Sequence, residues 1–580
     1  MSKRLLLILF LVINTLQIAK AAYAAGGEMK ISHIGNNKYL VTLIANKPCA
    51  SIMSFPTTTT LNVEFGFQGA CGTTTLSMSQ TSSRATNTKC STSTGCGVNT
   101  FIEYTYQCTV DLNSTTFTKP LSSGTCKEIT FYHNSFYHAF YTLASGVCSD
   151  VFLTAATLYV GNLNRCKSKT NIAPVSVFDP IHNLPVYRTA VIAQGIVDTS
   201  EFDWLHFVQM PSYAITPYAN TTCSYSKSKN YLRPLDPNCV PSTSTSCSYN
   251  GSTNPVRGVN FDTLSGDFTF SPINSGDYGV LSYHINEYRR DTTGKWALIC
   301  RYFREVPLYA IDAPADNNNP SINTLVGQPI NICVGNKYCN KVIQMNDIMA
   351  APKQTKSDSL LTYTLKNVHG SPFNVYAPNN YTRAFEICWT PTNADTSYVP
   401  YLIPIKVVDQ HCSPPLEMSY TIQVRVYPIP QATNTVRYLG CNKIEIKTKN
   451  LRGGPGAKCQ WQISKTGSSF VAKSYKDIDT IYLDGIGKYS IKALMSNVGS
   501  CFNFYDTTLT LTDTVVDFSL GNYKPIADTF NCPSATFIAK PYNLTYPSGK
   551  MSYQWYGIDY NSAYTYGDPR NINLSKLPKL

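Results

Sequence analysis

Residues 258–290, GVNFDTLSGDFTFSPINSGDYGVLSYHINEYRR, constrain the fold more tightly than any other stretch of the chain. Runs at 259–262, 267–271 and 278–288 are rich in β-branched and aromatic residues and are broken by Leu264-Ser265-Gly266 and Asn274-Ser275-Gly276-Asp277. That is the pattern of antiparallel strands joined by tight turns. In the longest run Leu281, Tyr283 and Ile285 alternate with Ser282, His284 and Asn286, which predicts a strand with one face in a core and the other in water. Gly276-Asp277-Tyr278 has the form of a tyrosine corner, in which a phenol hydroxyl returns to the backbone of a crossing loop. A meander of this kind belongs to a β-sandwich, and it carries no visible catalytic chemistry.

At 580 residues the chain is too long for one sandwich of roughly 100 residues, so it divides into several modules. Charged residues make up only 14%, and the net charge of +13 is scattered as single Lys and Arg residues. No basic run tracks a phosphate backbone or an anionic membrane, which argues against a nucleic-acid partner. Lys3-Arg4, the apolar run 5–13 and the small residues Ala19, Ala21, Ala22, Ala24 and Ala25 follow the order of a secretory leader, with cleavage expected near residue 25. The apolar run is too short to span a bilayer, and no second one occurs, so no transmembrane anchor is expected in this chain.

The 20 cysteines fall as eight in 49–166, four in 223–300, four in 333–412, and then Cys441, Cys459, Cys501 and Cys532. Even numbers in an exported chain imply disulfides closed within each module, with Cys223, Cys239, Cys247 and Cys300 as one group and Cys333, Cys339, Cys388 and Cys412 as another. Four cysteines allow three connectivities, which the sequence leaves open. Cys-x-x-Cys pairs are absent, which speaks against zinc.

Several motifs together carry a resemblance. Gly26-Gly27-Glu28 follows the leader, a strand at 38–43 leads to Cys49, the Cys90 to Cys96 loop runs into Tyr104-Thr105-Tyr106, and Asn171-Ile172-Ala173-Pro174 marks an exit. Further on stand Gly276-Asp277-Tyr278 with Glu287-Tyr288-Arg289, and Cys388-Trp389-Thr390-Pro391 with Asp409-Gln410-His411-Cys412. This set resembles Bacteroidetes-type surface proteins associated with gliding motility and adhesion, built from tandem immunoglobulin-like, PKD-like or cadherin-like modules. The resemblance implies an acidic cluster in the second module, where this chain has Asp198, Glu201 and Asp203 around a turn. Residues 310–320 are similar to the junctions of cadherin-type tandem domains, which implies a calcium site from Asp312, Asp316, Asn317 and Asn319, with Asp409 as a further ligand. Calcium takes six to eight oxygens, and the competing reading is a stiff Pro/Asn linker with Asp409 capping its own turn. The fourth module resembles an immunoglobulin-like or PKD-like unit, which implies Trp461 on a central strand, Tyr489 at a corner, and Cys441 bonded to Cys501 with Cys459 left as a buried thiol or exchanging into the pair. Trp389 reads as core and Tyr278 as a second corner.

The expected organisation is therefore all-β, tandem antiparallel sandwiches: leader 1–25, modules 26–170, 171–313, 314–430 (cadherin-like) and 431–514, and an incomplete module 515–580. His-Glu-x-x-His, Gly-x-Ser-x-Gly and phosphate-binding loops are absent from the sequence, so no enzyme is expected. The expected function is an extracellular or cell-surface binding protein with protein or glycan ligands, attached to the outer surface through further carboxyl-terminal sequence. The competing expectations are an accessory region of a secreted carbohydrate-active enzyme and a structural spacer.

Overall fold

The computed structural model describes residues 23–24, 26–48, 54–86, 101–122, 126–138, 151–178, 182–198, 203–212, 230–239, 247–312, 321–323, 329–346, 384–397, 399–408, 416–440 and 442–511, with short strands at 362–365, 374–376 and between 516 and 572. The described residues are mostly β-strand with few helices, arranged in antiparallel sheets with three parallel pairings among them. The chain forms two compact units, one of residues 1–330, 337–390 and 399–425, the other of residues 331–336, 391–398 and 426–580.

In the first unit the strand pairings close on themselves. Gly26–Gly35 pairs with Lys38–Pro48, which pairs with Phe101–Asp111, then Thr73–Thr86, Thr58–Phe65, Ile129–His138 and Val151–Leu158. Val151–Leu158 meets Trp296–Ile311, and that long strand returns to Gly26–Gly35. A closed circuit leaves few open edges for unwanted pairing. On its other side Trp296–Ile311 carries Tyr278–Arg290, followed by Trp204–Gln209. The hairpin between these two long strands turns at Asp291, whose carboxylate accepts from the Thr293 and Lys295 amides while Gly294 supplies a positive φ of 84°.

One hydrophobic core unites Ile31, Val41, Leu43, Phe65 and Phe131 with Ile192, Phe207, Phe268, Leu281 and Tyr283. The boundary expected at residue 170 thus lies inside a single sheet and a single core. Alternation in each strand marks which face is apolar, but it does not say which strand a later strand will join.

The strand Tyr278–Arg290 corrects a second expectation. Leu281, Tyr283 and Ile285 face the core, but Ser282, His284 and Asn286 are also buried, at 0%, 4% and 5% exposure. Ser282 bonds the Ser212 hydroxyl, His284 stands edge-on to Phe303, and Asn286 accepts from Arg301 Nε at 2.7 Å. A small second cluster of Tyr132, Leu153, Ala155 and Phe303 lies on this side of the sheet. Polar residues read as a wet face are here the hydrogen-bonded underside of another layer.

Tyr401–Val408 pairs with Glu417–Tyr427, and Ile403, Ile405, Val407, Ile422 and Val424 are buried as their alternation requires. The opposite face of the latter strand is buried too. Ser419 Oγ accepts from the Ala193 amide at 2.7 Å, the Thr421 amide and hydroxyl donate to Asp267, and Gln423 Nε2 donates to Asp262 at 2.9 Å. The modules expected at 171–313 and 314–430 therefore share a polar, hydrogen-bonded seam inside the first unit.

The second unit contains a seven-stranded sandwich. One sheet holds Gln431–Gly440, Lys443–Arg452 and Ile478–Tyr482; the other holds Val471–Ser474, Lys458–Lys465, Gly487–Ser496 and Phe502–Leu511. Its core is Ile444, Ile446, Trp461, Ile463, Tyr489, Ile491 and Met495. Three strands against four, with Trp on a central strand, is an immunoglobulin-like arrangement.

Candidate functional site

Two polar clusters lie on the hairpin formed by Tyr278–Arg290 and Trp296–Ile311. The first gathers Asp198 and Asp203 with Glu287. Carboxylate oxygens of Asp198, Asp203 and Glu287 lie within 4.8 Å of one another, and all three residues are buried. Arg289 answers them. Its Nε donates to Asp203 Oδ1 at 2.8 Å, Nη2 to Asp203 Oδ2 at 2.5 Å and to Asn171 Oδ1 at 3.3 Å, and Nη1 to the Ser168 and Thr170 carbonyls. Glu287 Oε2 accepts from Asn171 Nδ2 and from the Tyr302 hydroxyl, each at 3.0 Å, while Glu287 Oε1 is buried without a hydrogen-bond partner among the described residues. Burial, reinforced by Asp203 and Asp198, pushes the Glu287 carboxyl well above the usual carboxylate range. The neutral acid is the form this arrangement favours, which leaves Asp198 and Asp203 opposite Arg289. The cluster ties residues 168–171, Asp198, Asp203 and the hairpin together, with Arg289 bonded to Asp203 and Asn171, and Glu287 to Asn171 and Tyr302.

The second cluster lines a pocket of about 200 Å³ whose walls include Gly27, Glu28, Lys30, Asn46, Arg84, Glu103, Ser176, Phe178 and Arg304. The strand register puts it there. Glu28 and Lys30 alternate with the core residues Met29 and Ile31, and Glu28 lies directly opposite Arg304. Gly27 is required by close approach, since a Cβ there would stand 2.2 Å from the Ile44 carbonyl oxygen. Glu28 pairs with Lys30 Nζ at 2.7 Å and with Arg304 Nη1 at 3.7 Å. Burial raises its carboxyl, but the Lys30 and Arg304 charges outweigh burial and hold it below the usual range. Arg84 and Glu103 form a bidentate pair at 2.8 and 3.1 Å. Arg304 donates to Ser176 Oγ at 3.2 Å, while its Nε and Nη1 and the Oδ1 of Asn46 are buried with no hydrogen-bond partner among the described residues.

Trp389 is buried and meets Tyr401 edge-on at 5.2 Å. In the second unit Trp461 Nε1 donates to Thr448 Oγ1 at 3.0 Å, and the buried Tyr489 hydroxyl donates to the Gly485 carbonyl at 2.7 Å, four residues upstream. Phe502 and Phe504, 58% and 59% exposed and 5.4 Å apart, project from the edge strand beside the Lys492 to Asp506 ion pair.

A scan of family models finds no match, and a search of curated proteins finds none. Among solved structures the chain is similar to domains A168-A170 of titin (10% identity, 58% of this chain and 98% of that one, TM-score 0.23). It is also similar to mouse clustered PcdhgC3 EC1-3 (10%, 44% and 86%, TM-score 0.17) and to chicken CNTN1 FN1-FN3 (10%, 46% and 90%, TM-score 0.19).

The remaining expectations divide. Of the calcium candidates, Asp312 is exposed just after the long strand, and Asp316, Asn317, Asn319 and Asp409 lie outside the described residues. The side chain of Tyr278 also lies outside them; its backbone pairs with Tyr309. Cys239 bonds Cys247 and Cys339 bonds Cys388. Cys71 bonds Cys126. Cys501 bonds Cys333 across 168 residues rather than the expected Cys441, which lies outside the described residues together with Cys223 and Cys412. The reason is that residues 331–336 belong to the second unit, although they precede it by most of a module. Cys300, expected in a disulfide, is a free thiol sealed in the core beside Tyr302 and Glu287, and burial pushes it well above the usual thiol range. Cys459 is likewise free and buried.

The sequence reading pointed to acids at Asp198 and Asp203 but did not join them to Glu287 and Arg289, and it missed the second cluster. A usable signal was present: charged residues at alternate positions within apolar strands, Glu28 and Lys30 in one and Arg304 in the other.

Proposed function

We propose that the chain is an exported tandem β-sandwich protein that works by presenting binding surface outside the cell, in adhesion or in a gliding-type surface apparatus, without catalysing a reaction. Support for export comes from the leader-like order of residues 1–25 and from the four disulfides of the described residues, which persist only in oxidising compartments. The observation that carries the binding reading is the pair Phe502 and Phe504. Large aromatic rings left exposed side by side on an edge strand mark an interaction face, because burying them against a partner returns the hydrophobic free energy the fold leaves unused. The non-catalytic reading is supported by the carboxylate cluster, whose members are committed to Arg289, Asn171, Tyr302 and the Asp203 amide.

The test is binding of the full chain to immobilised cell-surface proteins and to a glycan array, beside the double variant Phe502→Ser, Phe504→Ser. Retained melting temperature with loss of binding supports the reading. Equal binding by the variant, or turnover of any bound glycan, overturns it, and no binding by the parent chain favours a spacer.

A further inference from the structure

The pocket floored by Arg304 has the chemistry of a ligand site, separate from the Phe502 and Phe504 face. Its charged walls hold three cations, Lys30, Arg84 and Arg304, against two carboxylates, Glu28 and Glu103. Glu103 is taken by Arg84 and Glu28 is shared by Lys30 and Arg304, so one positive charge has no carboxylate of its own. Arg304 is almost wholly buried beside the Tyr283 hydroxyl and the Glu28 carboxylate, its Nε and Nη1 lack a close hydrogen-bond partner among the described residues, and a further anion would strengthen its pairing. The same pocket offers acceptors. Asn46 Oδ1 is unpaired, and the Glu28 and Glu103 carboxylates each have lone pairs beyond those their cations use. Ile44, Val177 and Phe178 supply an apolar wall. A volume of about 200 Å³ admits only a small ligand, less than the roughly 300–1,000 Å³ of drug-sized pockets.

We propose that this pocket binds an acidic monosaccharide residue: a ring with one carboxylate for the Arg304 and Lys30 side, hydroxyls for Glu28, Glu103 and Asn46, and an apolar face for Ile44 and Phe178. A simple inorganic anion would leave the acceptors unused, and a neutral sugar would leave the surplus cation unmatched.

The experiment is titration of the full chain with D-glucuronate, D-galacturonate, methyl glucoside and sulfate, followed by ligand-observed NMR and calorimetry. The expected result is saturable binding of a uronate with a Kd of about 1 mM, with methyl glucoside and sulfate each at least about tenfold weaker. Lys30→Met and Arg84→Gln each bring the pocket to charge balance, so both are expected to lose about tenfold in uronate affinity. Arg84→Gln removes an exposed cation and is expected to melt within about 2 °C of the parent, whereas Lys30→Met takes Glu28's nearer partner and is expected to melt lower while still folding. Arg304→Met is expected to abolish binding; if it fails to fold, the two rim variants decide. Uronate affinity unchanged in both rim variants, equal affinity for methyl glucoside or sulfate, or no saturable uronate binding overturns the proposal. None of these outcomes depends on the Phe502 and Phe504 face, whose variants are expected to leave uronate binding unchanged.

Discussion

Arg289 and Asp203 meet across 86 residues of sequence in a buried, two-point guanidinium–carboxylate contact. With Asn171 and the carbonyls of Ser168 and Thr170, Arg289 makes five hydrogen bonds, as many as a guanidinium has N–H groups. Such a residue is a structural fastening, and removing it takes from a buried acid its guanidinium partner and from the Ser168 and Thr170 carbonyls the donor Arg289 supplies. Arg289→Met is therefore expected to cost about 3–5 kcal/mol in urea unfolding. Glu287→Gln keeps the acceptor for Tyr302 and is expected to be neutral or mildly stabilising. A larger loss for Glu287→Gln than for Arg289→Met would contradict the assignment of the charges.

The same fastening bears on metals. With Asp203 held by the Arg289 guanidinium and Glu287 by Asn171 and Tyr302, addition of EDTA is expected to leave the melting temperature of the full chain within about 1 °C. A drop of about 3 °C or more, reversed by calcium, would reveal a bound ion and reopen the junction at Asp312.

The seam between Asp267 and Thr421 is pH-dependent. Burial lifts the Asp267 carboxyl to about 7, with Asp262 adding to the rise and the bonds from Thr421 and Ser265 opposing it. The unfolded carboxyl titrates near 3.9, so between about pH 4 and pH 7 the folded state holds the extra proton. The stability this group contributes is complete below that window, falls through it by up to about 1.4 kcal/mol per pH unit, and is flat above it. Asp267→Asn removes the slope. Urea midpoints of parent and variant, measured from pH 4.5 to 8, are expected to diverge in the variant's favour as pH rises; parallel profiles would refute the effect.

Non-reducing peptide mapping is expected to recover Cys333 joined to Cys501, and alkylation of the unfolded, unreduced chain to label Cys108, Cys166, Cys300 and Cys459. Cys501→Ala is expected to destabilise the second unit by about 3–5 kcal/mol, because the bond closes a long loop. A Cys441 to Cys501 peptide would overturn this pairing.

Tyr489→Phe removes one hydroxyl and its bond to Gly485 while preserving the ring in the core. The expected loss is about 1–2 kcal/mol in the unfolding of the second unit, read by Trp461 fluorescence. No loss would assign the corner to packing alone.

Much of the fold was legible because local periodicity reports local structure. The strand at 278–288 appears where β-branched and aromatic alternation put it, and Trp461 and Tyr489 take the central-strand and corner places expected of them. What the sequence hid were partners far apart along the chain. Ser282, His284 and Asn286 looked solvated because polarity at alternate positions marks a water face and a hydrogen-bonded inner layer equally well. Asp203 and Arg289 looked independent because nothing local signals an ion pair across 86 residues. The pocket was hidden in the same way: Glu28 and Arg304 become neighbours only when the circuit of strands closes.

The bond between Cys333 and Cys501 has a mechanical consequence. Tension applied along the backbone on either side of these residues passes through the two sulfurs, so the stretch 334–500 between them is excluded from the load path. At about 3.4 Å per extended residue, roughly 570 Å of chain cannot be paid out while the bond is intact. Rupture of the modules within that stretch would not lengthen the molecule, and its reach under pull is set by the segments outside the loop.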